Sequence, residues 1–144
     1  MELKFKRLPN GAELPLPEYK TTGAAGMDIC AADDLILFDG GWGVVGTGFS
    51  AEIPEGYELQ VRPRSGLAAS KGLTVLNAPG TIDEDYRGEI KVILSNSGRN
   101  SVAVYRGERI AQLVLAPVTR AVVTEVDELS STERGENGFG STGS

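Results

Sequence analysis

The chain has 144 residues, a net charge of −6 at pH 7, 40% hydrophobic and 24% charged residues, one cysteine and no histidine. This length and composition suit one globular domain with a sizeable core, and no apolar run approaches the ~20 residues of a membrane span. The missing imidazole excludes Ser-His-Asp and Cys-His catalysis, and the single cysteine excludes an intrachain disulfide and multi-cysteine zinc sites.

The residues that remain restrict the chemistry further. Acid–base work falls to carboxylates, Tyr, Lys or bound water. A metal would have to be a hard ion held by oxygen, such as Mg²⁺. The acidic balance argues against a nucleic-acid partner, so positive charge for an anionic ligand must be gathered locally, for which an oligomer is one means. The amino-terminal segment has no long apolar stretch, so we expect no secretory signal, no membrane association and a cytoplasmic protein.

Short β-rich runs alternate with turn signals such as DGG, IPEG, NAPG, NSGRN and RGE, in a chain with 19 Gly and 7 Pro. This spacing predicts an all-β sandwich, jelly roll or barrel, and the absence of a βαβ rhythm argues against Rossmann and P-loop folds. One short helix is expected at 65–72. Strands are predicted at 3–7, 27–31, 35–38, 44–51, 57–63, 74–76, 90–96, 101–105, 109–118 and 121–126.

Two early segments place polar groups where they need an explanation. In AAGMDICAA, Asp28 lies within an apolar strand and must either pair with an arginine or serve a cation, while Cys30 is expected to be a small buried residue. In RPRSGLAASKG, Ser65 and Gly66 open the predicted helix beside Arg64. This arrangement suits a phosphate, with Lys71 a turn or so later, or it is an N-capping serine with two surface cations.

The segment GTIDEDYRG, residues 80–88, carries two carboxylates, a phenol and a guanidinium between two turn glycines. We predict a hairpin tip between strand-like sequences. Asp83 and Asp85 would share a face of an extended strand, one directed at a ligand and the other ordering Arg87 or the turn. The alternative is that both are turn formers, and Tyr86 beside them favours a ligand site.

The carboxy-terminal part supplies the remaining candidates. Gln112 interrupts an apolar run and needs a partner if it is buried, either a ligand or a structural hydrogen bond. From Asp127 the sequence is polar and Gly-rich, so we predict a core at 1–126 and a flexible tail at 127–144. In that tail Arg134 and the GSTG backbone suit an oxyanion, and Phe139 suits stacking on a base. A solvated tail is the alternative.

Five of these segments, in this order, resemble the motifs of the trimeric dUTPase family: AAGMDICAA, RPRSGLA, NAPGTIDEDYRGE, RGERIAQL and RGENGFGSTG. The resemblance implies a homotrimer of distorted jelly-roll subunits of the β-clip type. Each subunit would have one short helix and a flexible Gly-rich tail, and the tail of one chain would close over a site formed by others. Asn137 departs from the pattern, since the family usually has Gly there.

The resemblance also implies the reaction, which is Mg²⁺-dependent hydrolysis of dUTP to dUMP and pyrophosphate. This would keep uracil out of DNA and supply dUMP for dTMP synthesis. Asp83 would activate the water that attacks the α-phosphorus, and Asp28 would hold waters of the Mg²⁺ shell. The expected substrate-binding residues are Arg64, Ser65, Gly66 and Gln112 at phosphate, Asn77, Gly80, Ile82, Tyr86 and Lys91 around the nucleoside, and Arg134, Phe139, Gly140, Ser141 and Thr142 in the tail.

The sequence leaves two alternative functions. A dCTP deaminase of the same superfamily uses a glutamate in the strand after the hairpin, but residues 90–94 read IKVIL without a carboxylate. A non-catalytic trimer that binds dUTP as a regulatory switch would not need Asp83 and the tail together.

Overall fold

A computed structural model describes residues 1–140. No helix within these residues is long and apolar enough to cross a membrane. In chain order the elements are β1 (Lys4–Arg7), a 3-10 turn (Pro9–Gly11), β2 (Glu18–Tyr19), β3 (Met27–Cys30), β4 (Leu35–Leu37), β5 (Trp42–Gly46), β6 (Phe49–Glu52), β7 (Tyr57–Pro63), α1 (Ser65–Lys71), β8 (Leu73–Val75), β9 (Gly80–Ile82), β10 (Lys91–Asn96), β11 (Val102–Val104) and β12 (Arg109–Pro117).

The strands form antiparallel sheets, the largest in the order β2-β3-β12-β7-β9. Three smaller sheets have the orders β5-β10-β8, β1-β6 and β11-β4. The long strand β12 pairs with β3 on one side and with β7 on the other. The all-β jelly-roll class with one short helix is therefore confirmed.

The core follows from alternation along the central strands. In β10 the side chains of Val92 and Leu94 are fully buried, whereas Lys91 on the same strand is exposed. Leu59 of β7 and Leu113 of β12 are also fully buried in the same cluster. Successive residues of a strand point to opposite faces, so the apolar face of each strand meets this core. Each such side chain contributes about 1.5–3 kcal/mol through burial.

The predicted strand at 44–51 is wrong as a single element, because β5 ends at Gly46 and β6 begins at Phe49. Gly48 lies between them with a φ of 75°, a left-handed conformation that favours glycine. A Cβ at Gly48 would lie 2.2 Å from the Cα of Gly11, so the turn packs backbone against backbone on the 3-10 turn.

The predicted strand at 121–126 is not formed. The last strand ends at Pro117, and Val122 and Val123 are 95% and 94% exposed. Their β propensity predicted a strand, but a strand needs a neighbour with which to hydrogen-bond, and the described residues of the chain place none beside them.

The hairpin predicted around residues 80–88 is confirmed in part: the strands on either side of it pair antiparallel, but its tip is not a simple turn. Gly80–Ile82 forms β9, which pairs with β7 in the largest sheet, whereas the flanking strands β8 and β10 pair with each other in a different sheet. The segment therefore leaves one sheet, adds an edge strand to another, and returns. The short strands β2 and β9 were not predicted because neither shows an alternating pattern of its own.

Candidate active site

Asp28 is the centre of a cationic cluster on the largest sheet. Its carboxylate Oδ2 accepts a hydrogen bond from Arg109 Nη1 at 2.8 Å, and its Oδ1 lies 3.3 Å from Arg64 Nε. The Nε2 of Gln112 donates to Oδ1 at 3.3 Å. The register explains the arrangement, since Gln112 of β12 lies directly opposite Asp28 of β3. Asp28 was expected either to pair with an arginine or to serve a cation, and the structure shows pairing with two arginines. Gln112 was expected to contact either a ligand or a structural partner, and it makes a structural hydrogen bond to Asp28.

The environment of Asp28 favours its charged form. Burial alone would raise the pKa of the carboxyl group, since its side chain is only 7% exposed. Hydrogen bonds from Arg109 and Gln112, together with the charges of Arg64 and Arg109, outweigh burial and hold the pKa of Asp28 below its usual value. Asp28 is therefore an anion at neutral pH.

The start of α1 is open to solvent. Arg64, in extended conformation, occupies the N-cap position, and Ser65 and Gly66 are the first two residues of the helix, both exposed. No side chain caps this end, so the alternative of an N-capping serine is wrong. A Cβ at Gly66 would meet nothing within 4 Å. Free N–H groups beside the Arg64 guanidinium suit a phosphate oxygen. Lys71 lies in the last turn, about 9 Å along the axis, and is not part of this end.

Asp83 begins an exposed turn after β9. The N–H of Tyr86 donates to the Asp83 carbonyl at 3.1 Å, so Asp83 and Asp85 lie in a turn and not on one face of an extended strand. Arg87 Nη1 donates to the Glu84 carbonyl at 2.6 Å, which braces the turn. The Asp83 side chain lines an open cleft of about 400 Å³ together with Glu58 and other residues. It is free to hold a water molecule.

The remaining core candidates lie along β9 and at the start of β10. Gly80 is buried opposite Val61, and a Cβ there would come within 3.2 Å of Asn77 Nδ2. The exposed Asn77 thus packs against the first residue of β9. Ile82, the last residue of β9, is half-buried against the core, and Lys91 is exposed.

The acidic turn and the helix start lie at opposite ends of β7. Ile82 pairs with Leu59, so Asp83 follows toward Glu58, whereas Arg64 comes directly after the other end of the strand. Residues 58–64 span about 20 Å at ~3.3 Å per residue. One chain does not bring Asp83 to the phosphate-binding candidates Arg64, Ser65, Gly66 and Gln112.

The described part of the tail does not approach either cluster through hydrogen bonds. Arg134 Nε donates to the Asn137 carbonyl at 2.9 Å, and Phe139 is fully exposed with a φ of 50°. Gly140 has a φ of 83°. Asn137, where the family usually has Gly, does not have a positive φ in this structure. Ser141 and Thr142 lie outside the described residues.

The ligands that the side chains offer decide how a metal ion could be held. Among residues 1–140 no group of three or more Asp, Glu or Cys side chains could hold an ion directly. Both oxygens of Asp28 already accept from cations or from Gln112. Since Gln112 donates to Asp28 through its nitrogen, its own carbonyl oxygen is the group left to accept from a water. These residues fit an ion held by phosphate and water, and they do not fit a protein cage.

Arg109 is the functional candidate that the sequence did not single out. Its guanidinium makes the shortest contact to Asp28, although RGERIAQL, the segment that contains it, was recognised. The available signal was the spacing of three residues between Arg109 and Gln112. A β-bulge between Arg109 and Ala111 shifts the register so that both residues reach the same carboxylate.

Comparison with known proteins agrees with this geometry. The sequence profile of the dUTPase family matches residues 12–143. The deoxyuridine 5′-triphosphate nucleotidohydrolase of Zymomonas mobilis subsp. mobilis is 57% identical, covering 99% of this chain and 98% of the relative. That of Anaplasma marginale is 54% identical, covering 99% of both chains.

Among solved structures, the dUTPase of Staphylococcus bacteriophage 80alpha with dUpNHpp superposes with a TM-score of 0.86 at 30% identity, covering 99% of both chains. Likeness over the full length of fold and motifs defines the class: the chain is an enzyme, a hydrolase of a nucleoside triphosphate. It belongs to the dUTPase family.

Proposed function

We propose that the chain hydrolyses dUTP to dUMP and pyrophosphate. The observation that carries this proposal is the match to nucleotidohydrolases over nearly the whole length of the chain. The lack of histidine agrees with it, since the reaction needs only a carboxylate to activate water. The product dUMP would serve dTMP synthesis, and removal of dUTP would keep uracil out of DNA.

Asp83 is the proposed general base. It is exposed at the end of β9, where its carboxylate can accept a proton from a water molecule. The water oxygen forms a bond to the α-phosphorus, and the bond from that phosphorus to the bridging oxygen breaks. The proton passes to Asp83, and the leaving group departs as pyrophosphate. In-line attack of this kind depends on positioning and charge stabilisation.

The phosphate chain would bind at the open start of α1. The guanidinium there comes from Arg64, and the free N–H donors come from Ser65 and Gly66. The carboxylate of Asp28 orients Arg64 through their ion pair. A bound Mg²⁺ would neutralise phosphate charge during the reaction. Its waters would be held by Asp28 and by the carbonyl oxygen of Gln112.

Selectivity for deoxyuridine is assigned to the segment from Asn77 to Lys91. Asn77, Gly80, Ile82 and the backbone near Lys91 would contact the base. The ring of Tyr86 would pack on the deoxyribose and leave no room for a 2′-hydroxyl group, because a close-packed wall rejects added atoms.

A homotrimer with shared sites would bring the two ends of β7 in different chains together. The roughly 20 Å between Asp83 and Arg64 within one chain supports this arrangement. Exposed apolar side chains on β4, β5 and the turn between them also suit association: Ile36, Phe38, Trp42 and Val44 are at least 50% exposed.

We propose that the tail closes over such a site, with Phe139 stacking on the base and Arg134, Gly140, Ser141 and Thr142 at the phosphates.

Steady-state hydrolysis of dUTP, dCTP, dTTP and UTP, with and without Mg²⁺, tests the proposal. We expect pyrophosphate release from dUTP alone and only with the metal. Ammonia release from dCTP would instead indicate a deaminase. Binding of dUTP without turnover would indicate a regulatory trimer, and either result would overturn the proposed function.

A further inference from the structure

Glu89 joins three separate parts of the chain through its carboxylate. Its Oε1 accepts hydrogen bonds from Asn10 Nδ2 at 2.7 Å and from the Gly48 N–H at 3.0 Å. A Cβ at Gly46 would lie 2.6 Å from the same oxygen, so glycine at that position leaves the space that Glu89 occupies. The carboxylate is thus fixed between the 3-10 turn and the turn from β5 to β6.

The backbone at Glu89 holds Tyr86. The Tyr86 hydroxyl donates to the Glu89 carbonyl at 3.1 Å. The ring crosses directly over Gly88, where a Cβ would lie 2.3 Å from the hydroxyl oxygen. Tyr86 is 46% exposed, so packing alone does not fix the ring, and the position of the Glu89 carbonyl decides where it points.

The residue after Glu89 is anchored on the same turn. The Ile90 N–H donates to the Phe49 carbonyl at 2.8 Å, and the Ile90 carbonyl accepts from Thr47 Oγ1 at 2.6 Å. Ile90 is 1% exposed and Thr47 is fully buried. The end of the loop that carries Tyr86 is therefore held against a buried part of the core, and the Glu89 carboxylate is the side-chain group of the loop that contacts it.

Asn10 extends the network to the turn between β11 and β12. Its backbone carbonyl accepts from Arg106 Nη1 at 2.7 Å, and the same guanidinium donates to the carbonyl of Ala12 at 2.7 Å. Asn10 lies outside every segment that the sequence indicated as functional. Its side chain nevertheless contacts the residue that orients Tyr86.

We propose that Glu89, supported by Asn10, is a positioning residue that sets the selectivity for a 2′-deoxyribose over a ribose. This inference rests on the proposed function and deepens it. Glu89 touches no substrate. It fixes the backbone carbonyl that holds the Tyr86 ring, and the ring excludes the 2′-hydroxyl group only if it cannot tilt away.

The test compares E89A, E89Q and the wild-type enzyme in kcat/KM for dUTP and in inhibition by UTP. In E89A we expect the preference for dUTP over UTP to fall about tenfold, the size that matches the loss of a hydrogen bond to a charged group. In E89Q the amide oxygen still accepts from Asn10 and Gly48, so selectivity should stay within about twofold of wild type. N10A should shift selectivity in the same direction as E89A by a smaller factor.

E84A is the matched control, because Glu84 lies in the same loop and its carboxylate accepts from the Gly56 N–H at 2.6 Å without contacting Tyr86. It should leave the dUTP-to-UTP preference unchanged even if it lowers Tm. Wild-type selectivity in E89A and N10A, or an equal loss in E84A, would overturn the positioning role. Failure of the wild-type enzyme to hydrolyse dUTP would instead overturn the proposed function on which it rests.

Discussion

At the scale of single residues, Asp28 determines how the proposed phosphate-binding groups are arranged. Three donors converge on its carboxylate, and its contact with Arg64 connects β3 with the N-cap of α1. Removing the charge would leave the guanidinium of Arg64, whose side chain is only 23% exposed, without the opposing carboxylate, and only its hydrogen bond to the Arg109 carbonyl would remain. A half-buried cation without a partner is costly, so Asp28 stabilises the fold as well as the site.

Asp28 therefore predicts how stability depends on pH. Its folded-state pKa lies below the unfolded value, so the stabilisation is present above about pH 4 and is lost as pH falls through the folded pKa. We expect the free energy of unfolding to decrease on acidification, and to decrease less steeply in D28N. Urea denaturation between about pH 5 and 2 measures this difference. D39N, at an exposed carboxylate, is measured beside it as the matched substitution, and an unchanged slope in D28N would contradict the prediction.

Asp83 and Asp85 are both exposed and lie in the same turn, but Asp83 lines the cleft beside Glu58 and is the proposed base. We expect D83N to lower kcat by about 100-fold or more with KM little changed, because the amide cannot accept the proton of the attacking water. D85N should keep kcat within a few-fold of wild type. Steady-state kinetics on dUTP compares the two, and near-wild-type turnover in D83N would remove it as the base.

At the scale of elements, the sequence predicted what local patterns determine. The predicted strand at 57–63 matches β7, and the predicted helix matches α1 within one residue. Pairing partners could not be predicted in the same way. The Arg109–Asp28 contact depends on the register of β12 against β3 and on the β-bulge in β12. Strand β9 forms because residues 80–82 pair with β7 at the edge of the sheet. The contact of Asn10 with Glu89 likewise joins residues far apart in the sequence, without a local pattern.

The end of α1 offers a test of how the phosphate element is anchored. Gly72 ends the helix with a φ of 66°, and a Cβ there would lie 2.6 Å from the Gly98 nitrogen. We expect G72A to lower the free energy of unfolding by more than the ~1 kcal/mol of left-handed strain, because backbone must also move. G56A is the control, since Gly56 has a φ of 80° with nothing within 4 Å of its Cβ. Equal losses in urea denaturation would show that the clash is relieved without cost.

At the scale of the whole molecule, the distribution of charge and the length of β7 both favour a site shared between chains. The chain is acidic overall, with a net charge of −6, so it must concentrate cations where a triphosphate binds. Arg64 and Arg109 lie together at one end of the largest sheet, whereas the proposed base lies at the other end. On the proposed roles of these residues, a site made of one chain would lack either the base or the phosphate contacts.

Mixed assemblies test this sharing directly. D83N chains lack the base and R64A chains lack a phosphate contact, so each variant alone should have little activity. If one site takes Asp83 and Arg64 from different chains, co-refolding the two variants in equal amounts should place both native residues in about one quarter of the sites. Activity should rise to about that fraction of wild type. If both residues acted within one chain, every site would carry one of the two substitutions and mixing would restore nothing. Each variant refolded alone is the control, and sedimentation checks that the chains have assembled.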